Sequence, residues 1–247
     1  MQSRDDPPAF EKSQLKPWQK QEWCIPEVGE EFVAAMEEVI EIYTAPHELH
    51  HPVICFDESP FQLLRHVIDP LPASPGVARR QDYEYERAGV VDVMMICQPA
   101  LGLRKCLVTP SRKKVDFAGV CAEIDRMFPR AGSITLVSDN LNTHTKGAFY
   151  LAFEPGEARR LARKFHFVHT PKHGSWLNIA EIELAVLGKT VFKKRIGDAQ
   201  TLQTELDALC ASRNQEAIPV RWQFNLGKAR KKMSWMYPDL TDANQVD

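Results

Sequence analysis

The chain contains 247 residues, of which 44% are apolar and 26% are charged, so it can bury a substantial core and has the composition of an ordinary globular protein. No window approaches a membrane span or a signal-peptide core, and the six cysteines form no C-x-x-C pair, which argues against a secreted disulfide scaffold and a zinc knuckle. We therefore expect a cytoplasmic protein with reduced thiols and no membrane contact.

The net charge of −2 conceals two parts of opposite sign. Residues 1–58 contain 4 lysines and arginines against 13 aspartates and glutamates, whereas the rest of the chain contains 27 against 20. Basic clusters lie in this second part at residues 111–114, 158–164, 192–195 and 228–232. Such clusters are typical of surfaces that bind phosphate groups, and equally of solvated helix faces, so charge alone does not decide whether nucleic acid is a partner.

The first predicted elements lie before residue 90. Residues 1–26 are polar and contain several prolines, which predicts an extended linker. Between residues 27 and 44 apolar side chains recur every three or four positions, which predicts an amphipathic helix. These side chains are Phe32, Met36, Val39, Ile40 and Tyr43. A buried strand is predicted at residues 53–56, and the proline-rich residues 59–89 predict an irregular arm.

The remaining elements alternate between strands and helices. Apolar and β-branched runs predict strands at residues 90–99, 104–110, 133–140 and 166–171. Helical spacing of apolar residues predicts helices at residues 115–129, 156–165, 175–192 and 197–214. This order predicts an α/β domain at residues 27–215, in which helices cover a mixed sheet, and a C-terminal tail at residues 216–247.

One short motif suggests zinc chemistry. His47, Glu48 and His51 match the H-E-x-x-H signature of zinc proteases, in which both histidines bind the metal from one face of a long helix. Here Pro46 and Pro52 bracket the motif, so at most about one helical turn fits, and no third ligand follows at a helical spacing. A polar connection into the first strand is the favoured interpretation, with a zinc hydrolase as the alternative.

Three acidic residues lie where predicted core elements open to solvent. Asp57 ends the first predicted strand, Asp139 ends a later one, and Glu181 lies in the first turns of a late helix. Converging carboxylates repel one another, and two Mg²⁺ or Mn²⁺ ions about 3.5–4 Å apart would relieve that repulsion and act on a phosphodiester. Hard oxygen ligands favour magnesium over zinc. Taken singly, each strand-end aspartate is better explained as a turn former or a helix cap.

The sequence around these acids carries a family resemblance. The segments are "CFDES", "LVSDNLNTH" and "TPKHGSWLNIAEIE". From about Leu15 to Tyr237 the chain resembles the DDE transposases of bacterial insertion sequences related to the mariner transposons. In that family the first aspartate is followed by Glu, the second begins a D-N-x-x-x-H segment, and the third acid lies three residues past the Asn of a W-L-N-x-x-E or N-P-I-E segment. The resemblance implies that Asp57, Asp139 and Glu181 are the catalytic and metal-binding residues.

Fold and activity are implied by the same resemblance. It implies a ribonuclease H-like fold with an N-terminal linker and helix, and metal-dependent cleavage of DNA strands at transposon ends followed by strand transfer, usually at a TA target. It implies two Mg²⁺ or Mn²⁺ ions as cofactors, transposon-end and target DNA as partners, a homodimer when active, and a bacterial cytoplasmic location, at the nucleoid when bound to DNA. A catalytically inactive remnant that binds DNA or a protein partner is the alternative.

The position of the third acid departs from the family. Here 41 residues separate Asp139 from Glu181, more than in the family's shorter members, so Glu183 is the alternative third ligand. Glu183 lies two positions further along the helix and about 200° around it, so both glutamates cannot face one metal pair. Asn178 and Glu181 share a helix face, which favours Glu181.

Further residues near the three acids are candidates for orienting a metal ligand or contacting DNA. They are Glu58, Asn140, His144, Lys172, His173, Trp176 and Asn178. His144 is equally explained by a hydrogen bond at a helix end, and Trp176 by core packing. The family normally carries a helix-turn-helix domain before the catalytic domain, and nothing before Asp57 resembles one. We therefore expect weak, sequence-independent DNA binding that falls steeply with salt.

Overall fold

The computed structural model describes residues 29–220 and 222–237. The predicted linker at residues 1–26 and residues 238–247 of the predicted tail lie outside this part of the chain. Within it, none of the helices combines the length and the apolar character that a membrane span requires.

Five strands form one mixed sheet. They are β1 (Val53–His66), β2 (Tyr85–Gln98), β3 (Leu103–Thr109), β4 (Ile134–Ser138) and β5 (Phe165–His169). Their order across the sheet is β3-β2-β1-β4-β5. The pairs β1/β2 and β2/β3 are antiparallel, whereas β4 runs parallel to both β1 and β5. The mixed sheet predicted from the sequence is therefore confirmed.

Helices cover both faces of this sheet. They are α1 (Glu30–Thr44), α2 (Lys114–Met127), α3 (Gly147–Ala152), α4 (Pro155–Lys164), α5 (Ile179–Lys189), α6 (Ala199–Glu216) and α7 (Leu226–Lys232). The helices α1, α5 and α6 pack on one face with α7 against α1, and α2, α3 and α4 pack on the other. The sequence pattern does not predict α3, because six residues are too few to show a helical period.

Side chains along β1 alternate between two cores. Ile54 and Phe56 belong to the core beneath α2, α3 and α4, whereas Cys55 belongs to the core beneath α1, α5 and α6. The same alternation directs Asp57 to the side of Cys55 and Glu58 to the side of Phe56. The two neighbouring acids therefore face opposite helix layers.

The irregular arm predicted at residues 59–89 is wrong at both of its ends. β1 continues to His66 and β2 begins at Tyr85, and the two strands pair over this whole length apart from one irregularity. Pro60 is tolerated because this part of β1 pairs with β2 alone among the strands of the sheet. Residues 67–84 remain irregular. Asp57 consequently lies inside a strand, and the prediction that it ends one is wrong.

Candidate metal centre at the edge of the sheet

The parallel pairing of β1 with β4 brings Asp57 and Asp139 to the same edge of the sheet. The last residue pair between β1 and β4 is Cys55 with Val137. Asp57 lies two residues beyond Cys55 within β1, and Asp139 lies two residues beyond Val137, immediately after the end of β4. The parallel register therefore brings both carboxylates to one edge of the sheet, at the end of β4.

The environment of Asp57 disfavours its negative charge. Burial raises the pKa of this carboxyl, the backbone N–H of Glu58 lowers it by donating to Oδ1 at 2.9 Å, and repulsion from Glu181, Glu58 and Asp139 raises it further. The resulting pKa is about 7, well above the ordinary value of 3.8. Glu181 and Asp139 thus lie close enough to act on the charge of Asp57, and a bound cation would relieve the repulsion.

Glu181 is positioned by the residue that begins α5. Asn178 is the N-cap of this helix, and its Oδ1 accepts a hydrogen bond from the backbone N–H of Ala180 at 3.1 Å. Its Nδ2 donates to the backbone carbonyl of Phe56 at 2.8 Å. Since Phe56 immediately precedes Asp57, one buried amide joins the first turn of α5, which carries Glu181, to the part of β1 that carries Asp57.

Glu183 is occupied elsewhere. Its side chain is 4% exposed and lies in an ion pair with Arg104, whose Nε is 3.1 Å from Oε1, and with Arg213, whose Nη2 is 2.9 Å from Oε2. These arginines belong to β3 and α6, on the far side of α5 from Glu181. Two cations already neutralise Glu183, so this geometry favours Glu181 as the third metal ligand.

Glu58 and His144 extend the acidic cluster on the other face of β1. His144 is buried against Phe56 and Phe117, with ring centroids 5.3 and 4.6 Å away. Its Nε2 lies 3.4 Å from Oε2 of Glu58, and its Nδ1 lies 2.9 Å from Oδ1 of Asp139. Burial lowers the pKa of His144, but the hydrogen bonds and charges of Asp139 and Glu58 outweigh it and raise the pKa to about 9. His144 therefore links the two acids.

The cluster fits a hard divalent cation. Both carboxylate oxygens of Glu58 are buried without a hydrogen bond of good geometry among the described residues, since His144 Nε2 lies 3.4 Å from Oε2. Between residues 29 and 237, leaving out the undescribed residue 221, the group of metal-ligating side chains whose ligand atoms all lie within 4.8 Å of one another is Glu58, Asp139 and His144. Asp57 and Glu181 lie outside that tight group, so among the described residues the three predicted acids do not all offer ligand atoms within 4.8 Å of one another. Oxygen-rich donors of this kind suit Mg²⁺ or Mn²⁺.

A groove of about 590 Å³ adjoins the cluster, between the start of α1 and the loop that follows β5. The predicted DNA-contact residues Asn140, Lys172 and His173 line it. His173 has a positive φ of 64°, a strained conformation that is common at functional sites. His169, which the sequence did not single out, also lines the groove and contacts the backbone carbonyl of Asp139 through Nδ1 at 3.1 Å.

Two roles are predicted for Trp176, contact with DNA and packing in the core. Its ring packs edge-on against Phe224 at a centroid distance of 6.4 Å, yet 43% of the residue is exposed. It is a surface aromatic next to the loop that carries Lys172 and His173, and is not a core residue.

Two histidines of the H-E-x-x-H segment, His50 and His51, make hydrogen bonds within the fold. Residues 46–52 form a turn in place of a helix. His51 Nδ1 hydrogen-bonds Ser133 Oγ at 2.8 Å, and His50 Nδ1 contacts the carbonyl of Arg130 at 3.1 Å. The histidines thus connect β1 to the start of β4, as the favoured interpretation predicts.

Two solved structures share the fold of this chain. The Mos1 mariner paired-end complex with Mn matches with a TM-score of 0.52 and 15% identity, over 93% of this chain and 68% of the Mos1 chain. The Mos1 strand transfer complex matches with a TM-score of 0.53 and 16% identity, over 93% of this chain and 67% of that one. At such identities the likeness concerns the fold, and it confirms the ribonuclease H-like sheet expected from the sequence.

No curated protein matches the chain in sequence. Residues 52–203, more than half of the chain, match the profile of the DDE superfamily endonucleases. This segment contains Asp57, Asp139 and Glu181 together with the whole of the sheet. The chain therefore belongs to the DDE superfamily endonucleases.

Proposed function

We propose that this chain is the catalytic domain of a DNA transposase, which cuts strands at transposon ends and transfers them to target DNA, with TA as the target. The observation that carries the proposal is the parallel register of Asp57 and Asp139, with Glu181 tied to the same edge through Asn178. The family and the likeness to Mos1 in paired-end and strand transfer complexes support DNA as the partner.

In this proposal Asp57, Asp139 and Glu181 hold two Mg²⁺ or Mn²⁺ ions, with Asp57 shared by both. When bound, the ions supply the charge that activates an attacking hydroxyl and stabilises the leaving oxygen of a phosphodiester. The residues of the chain orient the acids: Asn178 fixes α5 against β1, and His144 holds the Asp139 carboxylate while offsetting the buried charge of Glu58.

The groove supplies the proposed DNA contacts. Lys172 and His173 are exposed on the loop after β5 and Asn140 follows Asp139, so all three can reach a phosphate that lies at the acids. Trp176, on the same side, presents an exposed ring for stacking on a base. These contacts do not distinguish one base sequence from another, which is consistent with weak DNA binding that falls as the salt concentration rises.

The organisation around the catalytic domain is also a proposal. The chain spans about two thirds of the Mos1 chains it resembles. We infer that residues 27–215 form the catalytic domain, that residues 1–26 are a linker that follows a DNA-binding domain in related transposases, and that residues 216–247 are a tail. A homodimer that joins two ends, in the bacterial cytoplasm, is the expected working form.

The test is nicking of duplex DNA by the purified chain in Mn²⁺, with EDTA as the metal-free control. Asp57→Ala, Asp139→Ala and Glu181→Ala should each abolish nicking and leave the circular dichroism spectrum unchanged. Glu48→Ala is the matched control, because Glu48 belongs to the H-E-x-x-H turn and should be dispensable. Normal nicking by any of the three variants removes that residue from the site. If the wild-type chain folds but does not nick DNA, even when it is supplied with a DNA-binding domain, the result would favour the inactive remnant.

A further inference from the structure

The exposed face of α4 is strongly basic. Its buried side is formed by Ala158, Leu161 and Ala162, which pack into the core beneath the sheet. The solvent side carries Arg159, Arg160 and Arg163, next to the largely buried side chain of Lys164, and we call these four residues the α4 basic face. This is the cluster at residues 158–164 that the sequence left undecided between a phosphate-binding surface and an ordinary solvated helix.

Two members of the α4 basic face are used within the fold. Asp125 on α2 accepts from Arg160 Nη2 at 2.6 Å and from Lys164 Nζ at 2.6 Å, and Glu157 also accepts from Arg160. Arg159 and Arg163 are exposed and have no hydrogen bond or ion pair with any described residue. They lie four residues apart, so their side chains are neighbours on one helix face.

Some cations of the other basic clusters are used by the structure. Arg195 donates to backbone carbonyls of residues 82–84, Lys194 pairs with Glu205, and Arg230 pairs with Glu37. The contacts of Arg195 and Arg230 join elements that are distant in sequence. The arginines at 159 and 163 have no such structural duty, so their charge is available to a ligand.

An open groove of about 410 Å³ runs along this face. Two glycines, Gly132 and Gly156, complete its lining with the four basic residues. No acid, aromatic ring or carboxamide is among those lining residues. A surface of cations and glycines suits a phosphate backbone, since it provides charge and close approach without any group that reads or stacks on a base.

The groove lies at the opposite edge of the sheet from the acids. Gly132 lies two residues before β4 and Lys164 immediately precedes β5, whereas Asp139 follows the last residue of β4. The five residues of β4 separate the two edges by about 16 Å. DNA held in this groove is therefore a different stretch from the one at the carboxylates.

We propose that the α4 basic face binds the backbone of duplex DNA at a second position, away from the phosphodiester that is cut. The proposal rests on the proposed function, because it assumes that DNA is the substrate. A duplex is favoured over a single strand because no ring lines the groove, and over an acidic protein because no apolar centre is present to bury against one.

The test measures binding of a fluorescent 40-base-pair duplex of arbitrary sequence in Ca²⁺, as a function of KCl concentration. Arg159→Ala combined with Arg163→Ala removes two phosphate contacts, so the slope of log K against log salt should fall by about 1.8 and affinity at 0.1 M salt by on the order of 10- to 100-fold. Arg159→Lys with Arg163→Lys should keep the slope, because charge sets it. Lys231→Ala with Lys232→Ala is the matched control, two exposed cations on α7.

The outcomes separate this inference from the proposed function. An unchanged slope in the Arg159→Ala, Arg163→Ala variant overturns the inference and leaves the face to an acidic protein. Equal losses in that variant and in the lysine control also overturn it, since they would reflect net charge alone. If the wild-type chain nicks DNA and the arginine variant keeps the full slope of log K against log salt, the proposed function stands and this inference fails. If the chain neither binds nor nicks duplex DNA, the proposed function and this inference both fail.

Discussion

Asn178 donates a hydrogen bond from Nδ2 to the backbone carbonyl of Phe56, and this bond ties the start of α5 to the strand that carries Asp57. Asn178→Ala should therefore lose both a helix cap and a buried bond, at a cost of about 1–3 kcal/mol in unfolding free energy. It should also weaken Mn²⁺ binding about tenfold, because Glu181 is no longer held beside Asp57. Urea unfolding in EDTA and calorimetric titration with Mn²⁺ measure the two effects.

Asn225 offers the control for that substitution. It caps α7 in the same way, accepting from the backbone N–H of Lys228 at 3.0 Å, but it is exposed and belongs to another part of the fold. Asn225→Ala should lower stability by about 1 kcal/mol and leave Mn²⁺ affinity unchanged. Equal losses of Mn²⁺ affinity in both variants would show that Asn178 acts only through global stability.

Substitutions of Glu181 and of Glu183 should have opposite effects on nicking and on stability. Glu181→Gln changes a partly exposed side chain, so stability should move by no more than about 0.5 kcal/mol while nicking is lost. Glu183→Ala leaves two arginines without their buried partner and should cost about 3–5 kcal/mol, while the folded fraction keeps nicking at low temperature. Chemical denaturation measures the stability of each variant. Nicking is measured at 15–20 °C, about 10 °C below standard conditions. The reverse pattern would assign the ligand role to Glu183.

The raised pKa of Asp57 predicts how stability depends on pH without metal. Its carboxyl favours the protonated form in the folded state, with a pKa of about 7 against an ordinary 3.8, so its contribution is fully present below 3.8 and is lost as pH rises through 7. Asp57→Asn cannot ionise, so its advantage over wild type should grow between pH 4 and 7, to at most about 4 kcal/mol.

Urea unfolding in EDTA at pH 5 and pH 8 measures this difference. Asp69→Asn, at an exposed site, should show none. A gap between Asp57→Asn and wild type that is the same at both pH values would contradict the prediction. Mn²⁺ affinity of the wild type should rise with pH through about 7, because the cation must displace the proton.

His144 and Glu58 should behave as a coupled pair. His144→Leu leaves the Glu58 carboxylate buried without a counter-charge, and should cost about 2–4 kcal/mol. Adding Glu58→Met should recover much of that loss, because an apolar pair satisfies the same volume, whereas nicking should stay impaired since Asp139 has lost its partner. A double-mutant cycle by urea unfolding measures the coupling, and additive losses would argue against the pair.

The sequence predicts the strands of the core well, because a run of apolar residues indicates a buried strand whatever its tertiary contacts are. It fails where pairing decides the outcome. Residues 59–66 contain Pro60 and polar side chains, and they form a strand because β2 supplies a partner and Phe61 and Leu63 are buried. Neither fact is visible in a local pattern.

The candidate site is similarly divided. The three acids are marked by the segments around them, but the register that aligns Asp57 with Asp139 depends on how two parallel strands pair. The role of Glu183 depends on Arg104 and Arg213, which lie on other elements. His169 escapes notice because a histidine at the end of a short strand carries no local signal of its contact with Asp139.

The extension of β1 past Asp57 has a mechanical consequence. Asp57 stands opposite Met95 within the regular stretch of the β1/β2 ladder that runs from Cys55 to Gln62, so β2 pairs with residues on both sides of it, whereas Asp139 follows the last residue of β4. Slow amide exchange is expected around Asp57 and faster exchange after Ser138. When cations and DNA bind, β1 would serve as the fixed reference of the centre, and the adjustment in atomic position would occur in the segment after β4.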